Sequence, residues 1–468
     1  MRYISTRGQA PARDFEDVLL AGLAEDGGLF LPETWPVLSA GEWRALRGLP
    51  YAELSARLMA LFTGPGIPQA ELLRMTRAAY GGFGHAATAP LVQIEPNLFS
   101  LELFHGPTLA FKDMAMQLLG LLFDHVLEKR GERITIVAAT SGDTGSAAIE
   151  ACRDRAAIDM VVLHPEGRTS EVQRRQMTTV LSSNIHNIAV QGSFDDCQDL
   201  VKAMFGDVPF RQEMRLSAVN SINWARIAAQ VPYYAYAALA LGAPDRPVAF
   251  SVPTGNFGNV LAAWVARRMG LPVETLIVGA NRNDILARFL VSNDMSMLPV
   301  EPSLSPSMDI QVSSNFERLL FELLGRDPVA TADIMTRFRA EGRMPVPDAA
   351  WTQATTLFAG FTLSDEGTLE EIRRLYAESA YLADPHTAIG TAAARALRPQ
   401  DRSIPVVVAA TAHPAKFPDA VEQATGFRPP LPARLADLYQ REERFAVMPG
   451  ALADIEAAVR AHARRNAA

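Results

Sequence analysis

Lys112 is the residue whose surroundings most suggest chemistry. It sits in Leu103-Phe104-His105-Gly106-Pro107-Thr108-Leu109-Ala110-Phe111-Lys112-Asp113-Met114-Ala115, just past a Gly-Pro turn and at the head of Met114 to Leu122, which reads as a buried helix. A lysine stripped of water favours its neutral amine, the form that attacks a carbonyl, so this setting suits Schiff-base chemistry. The chain has only four lysines, Lys112, Lys129, Lys202 and Lys416, and takes the rest of its positive charge from arginine. Lys129 lies in Glu128-Lys129-Arg130-Gly131-Glu132-Arg133, a solvated helix end, and Lys202 in a short amphipathic stretch, so both read as surface groups. A lone lysine beside apolar residues is itself more often a snorkelling side chain than a catalyst, so its case rests on what accompanies it.

Two loops accompany it. Pro253-Thr254-Gly255-Asn256-Phe257-Gly258-Asn259 follows a predicted strand and opens a helix, so its backbone N–H groups and the positive helix end can gather around a dianion. It lacks the Gly-Lys-Ser/Thr of a Walker loop and the Gly-x-Gly-x-x-Gly of a dinucleotide fold, which argues against a nucleoside triphosphate or NAD. Thr140-Ser141-Gly142-Asp143-Thr144-Gly145 also joins strand to helix and suits a carboxylate or a second phosphate, although such a stretch read alone is more often only a helix cap. A desolvated lysine followed by two anion loops in successive α/β units describes a cofactor pinned between two domains.

The elements that must position these groups follow from periodicity. Residues 1–95 read as an accessory, mainly helical domain, with helices over Asp14 to Leu23 and Tyr51 to Phe62. From Leu101 onward short β-rich runs alternate with helical stretches, as a doubly wound α/β fold requires. Strands are predicted at Ile134 to Ala139, Met160 to Leu163, Ile188 to Val190, Val248 to Val252, Thr275 to Gly279 and Pro405 to Ala410. The expected division is 1–95, then 96–245 with the lysine and the first loop, then 246–468 with the second loop and a helical tail.

The totals limit the function classes. At 468 residues the chain exceeds one core, and 49% hydrophobic with 21% charged residues fits a globular protein. A net charge of -8 with no basic tract makes nucleic acid an unsuitable partner. No apolar run reaches the roughly 18 residues of a membrane span and the N-terminus lacks a signal-peptide core, so a cytoplasmic protein is expected. Cys152 and Cys197 lack the spacing of a disulfide framework or a zinc site, and no metal is expected.

Five stretches in order carry a resemblance: Phe104 to Asp113, Ser141 to Gly145, Asn220-Ser221-Ile222-Asn223-Trp224-Ala225-Arg226, Pro253 to Asn259, and Ala410-Thr411-Ala412-His413-Pro414-Ala415-Lys416-Phe417. Together they resemble the threonine synthases of the longer form, within the fold type II pyridoxal-phosphate enzymes of the tryptophan-synthase β-chain type. The resemblance runs from Tyr3 to about Gly426. It implies two doubly wound open-sheet domains with the cofactor between them, plus the N-terminal helical domain. It makes Lys112 the residue bonded to pyridoxal 5'-phosphate and places the cofactor phosphate on Gly255, Asn256, Phe257, Gly258 and Asn259. Thr411 would face the pyridine nitrogen, where a hydroxyl makes a weaker electron sink than a carboxylate partner would. Ser141, Gly142, Asp143 and Thr144 would take the substrate's amino-acid end; cysteine-synthase-type relatives usually carry Asn where this chain has Asp143. Asn220, Ser221 and Arg226 would receive the substrate phosphate, Arg226 as a forked donor, although a helix-surface arginine remains open there. Asp384-Pro385-His386-Thr387-Ala388 also matches and is assigned structural support.

The activity implied is conversion of O-phospho-L-homoserine and water to L-threonine and phosphate by β,γ-elimination and replacement, the last step of threonine biosynthesis. Two alternatives stand beside it: a phospho-lyase that stops at a 2-oxoacid, and a catalytically silent cofactor-binding relative. The expected assembly is a monomer or homodimer acting on a small molecule.

Overall fold

The structure is a computed structural model describing residues 1–140 and 142–463. The described chain falls into two compact units. The larger comprises Met1–Val18, Leu23–Phe111 and Ser221–Pro429; the smaller comprises Leu19–Gly22, Lys112–Asn220 and the chain from Pro430 on.

The larger unit is built on a six-stranded sheet in the order Phe358–Thr362, Val273–Ala280, Val248–Pro253, Val406–Ala410, Leu98–Glu102, Leu91–Glu95. All neighbours run parallel except the last pair, which forms an antiparallel hairpin. Val248–Pro253 and Val406–Ala410 are buried at every position. That is why they read as continuous apolar runs: a parallel strand covered on both faces has no polar side to alternate with. Their carboxyl ends lead straight into Thr254 and Thr411, the position at which open α/β sheets present ligand sites.

The smaller unit holds a five-stranded, wholly parallel sheet ordered Ala446–Pro449, Ile185–Gln191, Ile158–Pro165, Ile134–Ala139, Leu216–Ser217. The tail after Gly450 forms the helix Leu452–His462, whose Ile455 and Val459 enter a core with Val137, Val161, Val190 and Phe210. Helices flank both sheets, the α/β architecture expected, and no helix among the described residues is long and apolar enough to cross a membrane.

Compactness divides the chain differently from the sequence-derived cuts at 95 and 245, because pairing outranks sequence order. The N-terminal stretch is mainly helical, with helices Phe15–Ala21, Tyr51–Thr63 and Gln69–Tyr80, and it also contributes an antiparallel pair, Tyr3–Ser5 with Phe30–Pro32. The helical reading of residues 1–95 does not extend to their end, where Leu91–Glu95 pairs with Leu98–Glu102 as a hairpin. It turns through Pro96 and Asn97, the latter left-handed at φ 56, and the second strand pairs with Val406–Ala410.

Candidate active site

In the larger unit, residues 103–111 are laced to the segment after strand Val406–Ala410. Leu103 N donates to Ala410 O at 3.0 Å, Phe111 N to Thr411 O at 2.8 Å and His413 N to Leu109 O at 3.0 Å. Lys416, fully buried, donates its ammonium to Thr108 O at 2.8 Å. These bonds fix the backbone up to Phe111, and Lys112 follows as the first residue of helix Lys112–Arg130.

In the smaller unit the Lys112 amine lies 3.1 Å from Asp143 Oδ2, with the two side chains 11% and 6% exposed. An apolar setting alone would favour the neutral amine; the carboxylate instead favours the ammonium. Asp143 opens helix Asp143–Cys152, so strand Ile134–Ala139 and its exit loop carry the carboxylate to the lysine. Thr140 takes the capping role in that loop, its hydroxyl accepting from Gly142 N at 3.0 Å and Gly145 N at 2.9 Å. Gly142 is buried and Thr144 is half-buried in the first helical turn. Ser141 lies outside the described residues. Of the other lysines, Lys129 and Lys202 are exposed, as read from the sequence.

The second loop belongs to the larger unit. After Val248–Pro253 the chain turns through Gly255 and Asn256, Phe257 adopts φ 63, and helix Gly258–Arg268 begins without a side-chain cap from Phe257. A positive φ is costly for so bulky a residue. It is held by the Phe257 ring packing against Phe316 and Phe358, each 5.6 Å away. Buried Asn259 accepts on Oδ1 from the hydroxyls of Tyr233 at 2.5 Å and Tyr234 at 2.6 Å, which leaves its buried Nδ2 without a hydrogen-bond partner. An uncapped helix start beside an unsatisfied amide donor fits an anionic group such as a cofactor phosphate. Thr411, 6% exposed, stands at the carboxyl end of the strand next to the one that opens this loop.

Arg226 is only 4% exposed on the short helix Trp224–Ala228, not on a helix surface, and burial pushes its guanidinium down to about 10. A desolvated cation of this kind gains most from an anion. Ser221 is half-buried in the larger unit, whereas Asn220 is exposed and closes the preceding stretch of the smaller unit. Asp384 caps helix Pro385–Leu397, accepting from His386 N and Thr387 N at 3.0 Å each and contacting His386 Nδ1 at 2.7 Å, the structural role expected of it.

Three supporting residues escaped the sequence reading. Asn315 Nδ2 donates to Ser221 O and to Asn256 O, both at 3.1 Å, and its backbone N also donates to Asn256 O at 3.1 Å. One side chain thereby ties the loop at Asn256 to the segment leading to Arg226. Arg318 holds that side chain in turn, bonding Asn315 Oδ1 while reaching Phe30 O at 2.8 Å and Ile222 O at 2.6 Å. In the smaller unit, Gln173 Nε2 donates to Asp143 Oδ1 at 2.9 Å. No local pattern marks these residues, since each lies in a helix start of ordinary composition and its telling contacts, Ser221 and Asn256 for Asn315, Phe30 and Ile222 for Arg318, Asp143 for Gln173, are far along the chain.

Known proteins can be set beside this geometry. A model of the threonine synthase N terminus matches residues 2–80, one of pyridoxal-phosphate dependent enzymes matches 86–411, and one of the threonine synthase C-terminal region matches 387–459. A threonine synthase of Pseudomonas aeruginosa is 58% identical over 467 residues, covering 100% of this chain and 99% of its own. The crystal structure of a pyridoxal-phosphate-bound threonine synthase from Brucella melitensis superposes with a TM-score of 0.97 at 53% identity, covering 99% of this chain and 100% of its own. For the yeast threonine synthase the values are 0.93 and 38%, with 98% of each chain covered. With full-length similarity joined to a lysine largely shielded from water and a helix start without a side-chain cap, the chain belongs to the threonine synthase family of pyridoxal-phosphate-dependent enzymes.

Proposed function

We propose that the chain converts O-phospho-L-homoserine and water to L-threonine and phosphate, with the roles of its residues as follows. Bound pyridoxal phosphate supplies an aldehyde that takes up amines and a ring that draws electrons from the carbon next to the substrate nitrogen. Lys112 is the amine that holds the cofactor, and once displaced it takes the proton from the substrate Cα and later returns it. Asp143 keeps that amine oriented and stabilises its protonated form between the two transfers. The N–H groups of Gly255, Asn256, Phe257, Gly258 and Asn259 hold the cofactor phosphate, and the Asn259 amide supplies a further donor. Thr411 offers its hydroxyl to the ring nitrogen. Gly142 and Thr144, with Ser141, take the substrate carboxylate. Asn220, Ser221 and Arg226 take the phosphate that leaves, Arg226 through its paired N–H donors.

The observation that most supports this reading is the ion pair of Lys112 with Asp143, both largely shielded from water. The test is the Lys112→Ala variant, expected to lose the visible absorption of the lysine-bound cofactor and its turnover together. Near-normal activity in that variant overturns the assignment. Threonine and phosphate released in equal amounts from O-phospho-L-homoserine support the replacement reaction; 2-oxobutyrate in place of threonine supports the phospho-lyase instead. The reading extends to a cytoplasmic enzyme, monomeric or homodimeric, for which light scattering gives the assembly.

A further inference from the structure

We propose that Gln173 is a positioning residue for the Lys112 amine, acting through Asp143; this rests on the reading of Lys112 as the group that moves the Cα proton. The two oxygens of the Asp143 carboxylate have separate donors: Oδ2 faces Lys112 Nζ at 3.1 Å and Oδ1 accepts from Gln173 Nε2 at 2.9 Å. Gln173 is 5% exposed on helix Glu171–Thr178. Its amide has one consistent orientation, because Ser170 Oγ donates to Gln173 Oε1 at 3.0 Å while accepting from Gln173 N at 3.3 Å. With the amide oxygen so engaged, the NH2 end is the one left for a carboxylate, which can only accept. Gly142 adapts to the same amide: a Cβ there would stand 2.4 Å from Gln173 Cδ. The glycine of the loop thus leaves space for the glutamine that orients the next residue.

The consequence is electrostatic as well as geometric. A buried carboxylate that receives an amide hydrogen bond stays ionised, and an ionised carboxylate raises the affinity of Lys112 for its proton. Without the amide, Oδ1 of Asp143 loses the Gln173 donor and the carboxylate protonates more readily, which favours the ammonium form of Lys112 less. Other ionisable groups on the elements packed around this pair have partners of their own. Arg174 and Arg175 pair with Glu443, Asp113 senses Arg434, and His164 on strand Ile158–Pro165 lies near Arg174 and Glu443.

The experiment uses Gln173→Leu, which removes the donor, and Gln173→Glu, which keeps the shape. In protein freed of cofactor, the pH dependence of amine acylation at each lysine, read by peptide mass spectrometry, gives the Lys112 titration, with exposed Lys129 and Lys202 as internal references. Gln173→Leu is expected to shift the Lys112 titration downward and to move the pH profile of kcat the same way. It should cut kcat about 10- to 100-fold with KM within about threefold. Gln173→Glu should be impaired at high pH and recover relative to the parent as pH falls, when one proton shared with Asp143 replaces the amide donor. Unmoved Lys112 titration and unmoved kcat profiles in both variants overturn the proposal, as does a loss confined to thermal stability. The acylation readout stands without the cofactor, so failure of the Lys112 assignment, seen with Lys112→Ala, is distinguishable from failure of this one.

Discussion

The two compact units handle charge by opposite means. In the smaller, an amine, a carboxylate and an amide meet side chain to side chain, Lys112 to Asp143 to Gln173. In the larger, the proposed anion site is mostly backbone: a helix start beside a left-handed Phe257, with Asn315 and Arg318 bonded to carbonyl oxygens of the adjoining segments. Proton transfer needs a group whose charge can change, and only side chains offer one. Holding a dianion needs donors that do not change, and peptide N–H groups never titrate. Substitutions should therefore abolish function abruptly in the first region and degrade it gradually in the second.

Asp143→Ala should give the largest effect, a loss of about 100- to 10,000-fold in kcat by steady-state assay, with the cofactor still retained by its phosphate. Loss of the cofactor as well would break the comparison. Arg318→Leu should follow: it strands the Phe30, Ile222 and Asn315 oxygens, a cost of about 3 kcal/mol in urea unfolding. Asn315→Ala, smaller at about 1–2 kcal/mol, should weaken cofactor binding and raise KM together, because Asn256 O and Ser221 O lose the same donor. If only one of the two constants moves, Asn315 does not couple the segments. The pH test concerns Arg226. Burial brings its guanidinium to about 10, so the free enzyme loses that charge as pH climbs past this value. kcat/KM, which reports the free enzyme, should then fall above about pH 10, while below it Arg226 stays charged and adds no pH dependence of its own. Smallest is Ser314→Ala. Its hydroxyl reaches Asn256 Oδ1 at 3.4 Å in an exposed position, and the change should stay within about 0.5 kcal/mol by calorimetry.

The legible parts of the fold were those with local signatures. The predicted strand at Ile134 to Ala139 is the observed one, and Val248 to Val252 extends by a single residue, because a buried parallel strand announces itself in its own few residues. Phe358–Thr362, by contrast, carries no clear strand signature in its own residues. Its Gly360 weakens the strand pattern, yet a Cβ at that position would lie 2.9 Å from Ala287 Cα, so the close approach of helix Ile285–Ser292 requires the glycine. Ala446–Pro449 and Leu216–Ser217 are too short to register, and they exist as strands only through the neighbours they pair with.

The sequence by itself determined which groups could react and which turns could hold an anion, since both depend on residue type and on backbone preferences that act over a few positions. It also pointed to the family, because several such local signatures stand in one order. Only the tertiary structure decided the partners: that Asp143 meets Lys112 and Gln173, that Arg226 is buried, and that Asn315 reaches both Asn256 and Ser221. A hydrogen bond exists or not within a few tenths of an ångström. Across so many intervening residues that distance is the outcome of how whole strands and helices pack, which no short stretch of chain encodes.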